Sequence, residues 1–219
     1  IYTQHFTPQI VCETDVDKIQ MPEVIVDWEA TEQRRAELDT IFEGILPVCV
    51  RGAGRIWFAP WDELIRWYGV EQALADMALR PELVHAAIER LVSAHLHRLR
   101  QLESQGALEP NAGNNTTGSG GLAFCSALPA PTERHQPVRP IQQWGCAAAQ
   151  IFCAVSPEMH ETFALQYELR WLEQFGLNYY GCCEPLHQKL PILKQIPRLR
   201  KVSMSPWADL NSAMKQGAG

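Results

Sequence analysis

The sequence lacks both a long apolar run and a secretory leader. No stretch approaches the ~18 consecutive apolar residues that a membrane-spanning helix needs. The first residues, 1–5, lack the basic start and the apolar run of a signal peptide. The two absences argue against a membrane-spanning chain and against a secreted one.

The common signatures of nucleotide and metal sites are also missing. No G-x-G-x-x-G fingerprint follows a predicted strand, and no P-loop lysine motif occurs. The C-x-x-C and H-E-x-x-H pairs, whose spacing brings two ligands onto one zinc ion, are absent as well. These absences count against a nucleotide-binding sheet and leave any metal site without a local motif.

Charge and cysteine content narrow the class further. The 219 residues carry a net charge of -6, with 20% charged and 46% hydrophobic residues, which is typical of a globular protein. This balance gives no attraction to nucleic acid or to an anionic membrane surface. The seven cysteines are odd in number and irregular in spacing, which does not fit a secreted disulfide framework. We therefore predict a reducing, cytoplasmic setting.

What the sequence does contain is an alternation of apolar strands and helices. Helical patterns cover residues 31–43, residues 60–106 and a segment that begins at Ser156 and Pro157. The predicted strands lie at residues 45–50, 107–110, 147–154, 177–182 and 200–204. Alternation of this kind predicts parallel strands joined by crossovers, in a doubly wound sheet or a barrel. We predict a single α/β domain over residues 1–219 of the (β/α)8 TIM-barrel type, and a partial barrel, because a full one typically takes ~250 residues.

The sharpest candidate site follows the strand predicted at 177–182. In parallel α/β folds the reactive groups lie at the carboxyl ends of strands, and here Cys182, Cys183 and Glu184 come first, with His187 close behind. Thiolate, imidazole and carboxylate groups all bind zinc. We predict Cys182, Glu184 and His187 as metal ligands for zinc, and Glu184 and Cys183 as catalytic residues. The alternative is that both cysteines are small buried apolar residues.

Arginines and asparagines follow two other predicted strands. Arg51 and Arg55 have the geometry to hold a carboxylate or a phosphate by paired hydrogen bonds, and the alternative is a salt bridge at the rim. Asn114 and Asn115 lie in a loop rich in Asn, Gly, Ser and Thr, which either lines a polar pocket or is a surface loop. We predict these four as substrate-binding residues. His135, in the Pro-rich loop beyond, reaches a site only if that loop folds over it.

Three segments together resemble the uroporphyrinogen decarboxylase superfamily. The first is "GILPVCVRGAG" with the later "FAPWDELIRWYGVEQALADMALRPELVHAAIERL". The others are "AVSPEMHETFALQYELRWLEQFGLNYYGCCEPL" and "IPRLRKVSMSPWADLNSAMKQ". Their order and spacing carry the resemblance, which covers most of the chain from about residue 40 onward.

The resemblance implies a (β/α)8 barrel and one of two activities. One branch of the superfamily holds the decarboxylases of haem synthesis. The other holds zinc-dependent methyltransferases, which move a methyl group between a corrinoid protein and a thiol such as coenzyme M. That branch carries His-x-Cys at a strand end, and the matching positions here are Tyr180-Gly181-Cys182. Cys182 matches the cysteine ligand, whereas Tyr180 replaces the histidine, and we assign Tyr180 to substrate binding.

We therefore predict a methyltransferase-like enzyme that moves a methyl group between a corrinoid, carried by a partner protein, and a thiol or related acceptor. Two alternatives stay open. The chain is either a cofactor-free carboxy-lyase that decarboxylates a polycarboxylate anchored by arginines, or a truncated barrel that is inactive alone. A truncated barrel would form a homodimer or be completed by another chain, because an open parallel sheet exposes unpaired strand edges.

Overall fold

The computed structural model describes residues 6–129 and 137–217, which form a mixed α/β fold. The helices are α1 (Trp28–Ile41), α2 (Pro60–Tyr68), α3 (Val70–Leu79), α4 (Pro81–Ser104), α5 (Pro157–His160), α6 (Gln166–Leu172), α7 (Leu190–Leu193) and α8 (Leu210–Gly217). A π-turn at Glu161–Leu165 joins α5 to α6, so that residues 157–172 form one continuous helical rod. The helices predicted at 31–43 and 60–106 are confirmed. The second stretch is divided into α2, α3 and α4.

The described residues contain five strands in two sheets. Strands β1 (Gly113–Thr117) and β2 (Gly121–Ala123) form an antiparallel hairpin. Strands β3 (Trp144–Ala147), β4 (Leu177–Tyr180) and β5 (Leu199–Val202) form a parallel sheet in that order. The helical rod 157–172 connects β3 to β4, as parallel pairing requires.

The predicted (β/α)8 barrel, whole or partial, is wrong. Within residues 6–129 and 137–217 only three strands lie side by side in parallel, and no barrel closes. The segment 45–50 forms no strand: Pro47 has no amide hydrogen to donate to a ladder, and Ile45 is 72% exposed. Apolar composition predicted a buried strand there, but nothing in the described chain covers it.

The other strand predictions differ from the structure in degree. Residues 107–110 make a single parallel bridge, between Leu108 and Ala53, and extend no further as a strand. The strand predicted at 147–154 is wrong except at Ala147: the observed strand β3 precedes it, at Trp144–Ala147, and residues 150–154 form a 3-10 helix. Strands β4 and β5 lie within two residues of their predicted bounds. Of these two strands, β4 is buried at every residue, whereas β5 is half-buried or exposed along its length.

Helix starts show how local chemistry decides a boundary. Ser156 accepts a hydrogen bond from the Met159 amide at 3.2 Å, which confirms the predicted start of α5. The similar Ser205-Pro206 pair starts no helix. Instead Asp209 accepts from the amides of Asn211 and Ser212, and α8 begins after it, at Leu210. The carboxylate of Asp209 satisfies the first free amides of α8, so Ser205 is not needed as a cap.

One apolar core binds the helices to the parallel sheet. Phe58 stacks on Trp171 with 4.5 Å between ring centroids, and both rings are buried. Trp61 donates its indole N–H to the Phe163 carbonyl oxygen at 3.0 Å. A stacked aromatic pair contributes about 1 kcal/mol beyond the area that it buries. This packing fixes the rod 157–172 against the sheet and so fixes the two strand ends that the rod connects.

Candidate functional site

The end of β4 presents its last two residues, Tyr179 and Tyr180, to opposite faces of the sheet. Successive side chains of a strand alternate between faces. Tyr179 contacts the β1–β2 hairpin, where its hydroxyl lies 2.9 Å from the Ser119 Oγ. Tyr180 instead contacts the helical rod through His160 and Glu168. The candidate site therefore has two chemically different sides.

On the rod side, three buried polar groups share one short hydrogen-bonded chain. The Tyr180 hydroxyl donates to Glu168 Oε2 at 2.6 Å and lies 2.6 Å from His160 Nε2. All three side chains are buried, and Glu168 Oε1 and His160 Nδ1 have no protein partner in the described residues. The Tyr180 hydroxyl thus makes both of its hydrogen bonds with protein side chains, those of Glu168 and His160. The prediction that Tyr180 binds substrate remains untested.

Burial sets the charge states of the three hydrogen-bonded side chains, Tyr180, Glu168 and His160. Desolvation raises the pKa of Glu168 to about 8 and lowers the pKa of His160 to about 3, because each charged form loses its hydration. Desolvation and the neighbouring Glu168 carboxyl also raise the pKa of Tyr180 well above its usual range. At neutral pH the three buried side chains are therefore uncharged, and Glu168 carries a dissociable proton.

On the hairpin side, a glycine makes the close approach possible. Gly118 has φ +57°, and a Cβ at this position would overlap the Tyr179 ring. The Gly118 carbonyl oxygen accepts a hydrogen bond from Arg55 Nη2 at 3.1 Å. This bond fixes the hairpin turn, which in turn places Ser119 over the end of β4.

The two predicted cysteines lie directly after β4. Cys182 is half-buried, Cys183 is exposed, and their Sγ atoms are 3.5 Å apart. Desolvation raises the pKa of the Cys182 thiol, the hydrogen bond with Cys183 adds to that effect, and Ser119 opposes it. The protonated thiol of Cys182 is therefore the favoured form in the unliganded protein.

The carboxylate of Glu184 folds back onto the turn that carries these thiols. Glu184 is buried, and its Oε2 accepts from the Cys182 amide at 2.9 Å. Ser203, just after β5, donates its hydroxyl to the Cys182 carbonyl oxygen at 2.7 Å. Glu184 Oε1 is buried and has no protein partner in the described residues. One carboxylate oxygen thus supports the turn, and the other has no hydrogen-bond partner among the described residues.

The predicted zinc ligands are Cys182, Glu184 and His187. Among residues 6–129 and 137–217, no group of three or more His, Cys, Asp and Glu side chains is arranged to hold a metal ion. The Nδ1 atom of His187 is buried without a protein partner, but the three side chains do not meet. The arrangement described does not fit a three-ligand site, and zinc binding stays a prediction.

Three of the predicted substrate-binding residues line one polar pocket. Arg55, Asn114 and Asn115 surround a cavity of about 540 Å³ between the 52–55 loop and the hairpin. Arg51 lies outside this lining and pairs with Glu109 at 3.0 Å, which matches the rim salt bridge that the sequence left open. His135 lies outside the described residues.

Sequence reasoning missed several polar residues of this region. Lys189 is buried, its Nζ donates to the Phe152 carbonyl oxygen, and desolvation lowers its pKa. Glu168 and His160 both lie on a helix where periodicity indicates only a buried face, so no pattern distinguishes them. Strand alternation does indicate that the side chains of Tyr179 and Tyr180 point to opposite faces of the sheet. The Gly-rich loop indicates that the backbone near Ser119 can approach a neighbouring element closely.

Comparisons with known proteins found no matching family model, no matching curated protein and no matching solved structure. No helix within the described ranges has the length and apolar character needed to cross a membrane.

Proposed function

We propose that the chain is a methyltransferase that moves a methyl group to a thiol or a related acceptor at the carboxyl end of β4. The reaction class comes from the resemblance to the methyltransferase branch of the uroporphyrinogen decarboxylase superfamily. One structural observation carries the location. The Cys182 thiol and the buried Glu184 carboxylate occupy the same turn, beside a hairpin whose other side lines the polar pocket of Arg55.

In this proposal the polar pocket anchors the acceptor. The Arg55 guanidinium gives one N–H to the Gly118 carbonyl oxygen and has further donors for a carboxylate or another anion. Asn115 donates one amide hydrogen to the Ala112 carbonyl oxygen and keeps its own carbonyl oxygen for a ligand donor. Asn114 lines the same cavity. An acceptor with an anionic group and a polar body suits this lining.

The chemical step needs a proton acceptor beside the reacting thiol, and we assign that role to Glu184. The acceptor thiol gives its proton to the Glu184 carboxylate, the sulfur forms a bond to the methyl carbon, and the bond between that carbon and the donor breaks. The donor keeps the electron pair of the broken bond. A corrinoid carried by a partner protein would supply the methyl group. We assign Cys183 to the exposed side of the turn, where the donor approaches.

We further propose that the reaction takes place in the cytoplasm. All seven cysteines are free thiols in the structure, and free thiols persist in reducing compartments. No step of the proposed reaction requires zinc, although the resemblance implies that metal. Its usual contribution would be to lower the pKa of a bound thiol.

The test is a methyl-transfer assay with methylcobalamin as donor and coenzyme M as the first acceptor, read as thioether by mass spectrometry. We expect product with the wild-type chain and a loss of roughly 100-fold in Glu184→Gln, because general base catalysis is removed. Cys182→Ser should lose less activity than Glu184→Gln, because the serine keeps the backbone amide that donates to Glu184 and no step uses the Cys182 thiol. Cys49→Ser is the matched control, since Cys49 is exposed and does not line the polar pocket. Thioether formation no faster than without protein, across several thiols, would overturn the proposal.

One observation favours a second candidate, the cofactor-free decarboxylation of a polycarboxylate. Arg55 lines the polar pocket together with three asparagines, and the one carboxylate of the lining, Glu109, is paired with Arg51, so the pocket also suits a carboxylate ligand. This candidate predicts release of CO2 from a polycarboxylate without a methyl donor, and no effect of chelators. Its readout, CO2 release, separates it from methyl transfer in the same preparation.

A further inference from the structure

The two edges of the parallel sheet differ in how they are covered. At the β3 edge, the Asn111 side chain accepts from the Trp144 amide at 2.7 Å and donates to the Trp144 carbonyl oxygen at 2.9 Å. The Ala148 amide, just beyond β3, donates to the Phe58 carbonyl oxygen. Along β5, by contrast, pairing in the described residues is with β4 alone. The β5 edge therefore presents unpaired backbone donors and acceptors.

A groove runs beside this free edge. It has a volume of about 730 Å³ and lies between β5 and the helices α7 and α8. Its apolar lining includes Leu199, Val202, Met204, Leu210 and Met214. Leu210 is 57% exposed and Met214 is 71% exposed, although both lie on the apolar side of α8. The apolar lining and the free strand edge thus form one continuous surface, which we call the β5 groove.

The β5 groove is also strongly basic, although the whole chain is acidic. Its lining contains four cations and no carboxylate: Lys194, Arg198, Arg200 and Lys201. Within the described residues none of the four has a carboxylate partner within 4 Å. Arg198 and Lys201 donate to backbone carbonyl oxygens, and the Lys201 Nζ also lies 5.1 Å from the centroid of the Trp144 ring, so neither charge is neutralised by a carboxylate. The chain as a whole carries a net charge of -6.

We propose that the β5 groove is a docking site for an extended segment of a partner polypeptide, which adds to β5 as a further strand and alternates apolar with acidic residues. Backbone hydrogen bonds to a free strand edge supply affinity, and alternate side chains supply specificity. The apolar residues of the segment fill the groove over Leu199 and Val202. Its carboxylates, on the alternate positions, meet Arg200 and the neighbouring cations. The inference is independent of the methyl-transfer proposal.

Charge argues against a second copy of this chain as the occupant. A symmetric dimer through β5 would bring Arg198, Arg200 and Lys201 of one copy against the same three residues of the other. Like charges directly opposite each other in neighbouring strands are destabilising. An acidic segment removes that repulsion and neutralises the groove.

The experiment uses labelled synthetic octapeptides and fluorescence anisotropy. The probe alternates valine and glutamate, and a matched peptide alternates valine and lysine. A third peptide keeps the valine–glutamate sequence but carries N-methyl groups on alternate amides, which removes backbone donors. We expect the acidic peptide to bind at least about tenfold more tightly than the basic one, with affinity falling as salt rises. N-methylation should abolish binding.

Charge reversal locates the site. Arg200→Glu should weaken binding of the acidic peptide by about tenfold, because it puts a like charge opposite the peptide carboxylates. Arg100→Glu on α4 is the matched control: it makes the same charge change on an exposed residue away from the groove and should leave binding unchanged. Circular dichroism of both variants checks that the fold is kept.

Three results would overturn the proposal. Equal binding of the acidic and basic peptides would remove the charge argument. Undiminished binding of the N-methylated peptide would mean that the groove takes an apolar anion and not a strand. A concentration-dependent dimer that Arg200→Glu abolishes would identify a second copy as the occupant.

Discussion

Tyr179 and Tyr180 are neighbours in sequence, yet their hydroxyls lie in environments that differ in nearly every respect. The Tyr179 hydroxyl meets one serine on a hairpin that borders solvent, next to a half-buried thiol. The Tyr180 hydroxyl is enclosed between a histidine and a carboxyl group that water does not reach. A single strand thus separates an accessible side, suited to ligand exchange, from a sealed side that holds one proton. Replacing equivalent atoms on the two sides should have unequal consequences.

The largest difference is expected between Tyr180→Phe and Tyr179→Phe. Removing the Tyr180 hydroxyl leaves Glu168 and His160 without their shared partner in a buried place, which should lower the free energy of unfolding by about 3 kcal/mol. Removing the Tyr179 hydroxyl loses one bond to a serine that water can reach, which should cost under about 1 kcal/mol. Urea unfolding at pH 7 measures both values. Equal losses would contradict the contrast between the two sides.

The next effect lies on the hairpin side, at Gly118. Gly118→Ala places a Cβ against the Tyr179 ring and requires a left-handed backbone, so we expect a loss of about 2 kcal/mol in the free energy of unfolding. Gly120→Ala is the matched control, because a Cβ there meets no atom within 4 Å. Thermal unfolding of the two variants should differ by several degrees. If both variants unfold like the wild type, the close packing of Gly118 on Tyr179 is wrong.

The smallest effect concerns pH and belongs to the sealed side. The folded pKa of Glu168, about 8, lies above its ordinary value of 4.5, so the folded state holds this proton more tightly than the unfolded state. Its contribution to stability is present below pH 4.5 and is lost as pH rises toward 8. His160 acts in the opposite direction: its folded pKa of about 3 lies below 6.5, so stability falls as pH drops below 6.5.

Between pH 6.5 and 8 the contribution of Glu168 falls by on the order of 1 kcal/mol per pH unit, while that of His160 changes little because its imidazole is mostly neutral in both states. Glu168→Gln should remove this fall. Urea unfolding of wild type and variant at several pH values in that window measures the slopes. Parallel slopes would show that Glu168 is already ionised in the folded protein.

The sequence predicted local structure well where one chemical cause decides it. Ser156 and Pro157 start a helix because the serine accepts from the Met159 amide, and the apolar run before Cys182 forms a strand because both of its faces are buried. It failed where the answer depends on distant partners. Pro47 is a local warning against a strand at residues 45–50, but whether that segment finds a neighbour to pair with depends on distant residues, and a barrel requires that pairing.

In the candidate site, too, the sequence indicated the features that depend on neighbouring residues and missed those that depend on distant ones. Cys182, Cys183 and Glu184 lie on one turn after β4, because sequence neighbours stay neighbours after a strand ends, but their predicted roles stay predictions. The residues of the pocket around Arg55 and Asn115 could be predicted from the sequence, because they are polar and lie near the ends of predicted strands. The partners of Tyr180 were not, since Glu168 and His160 reach it only through the packing of a helix onto the sheet.

The π-turn at Glu161–Leu165 has a consequence for that packing. His160 and Glu168 are eight positions apart, and in a regular α-helix of 3.6 residues per turn they would point about 80° away from each other. A π-turn accommodates one extra residue, so the two side chains are oriented as if seven positions apart, within about 20° of a common direction. The extra residue of the π-turn therefore compensates for the rotation of the helix. As a result, His160 and Glu168, two turns apart, both reach the Tyr180 hydroxyl. Deleting a single residue between 161 and 165 would leave the two side chains seven positions apart in a regular α-helix, so both should still face Tyr180, whereas an insertion into a regular helix without the π-turn would separate them.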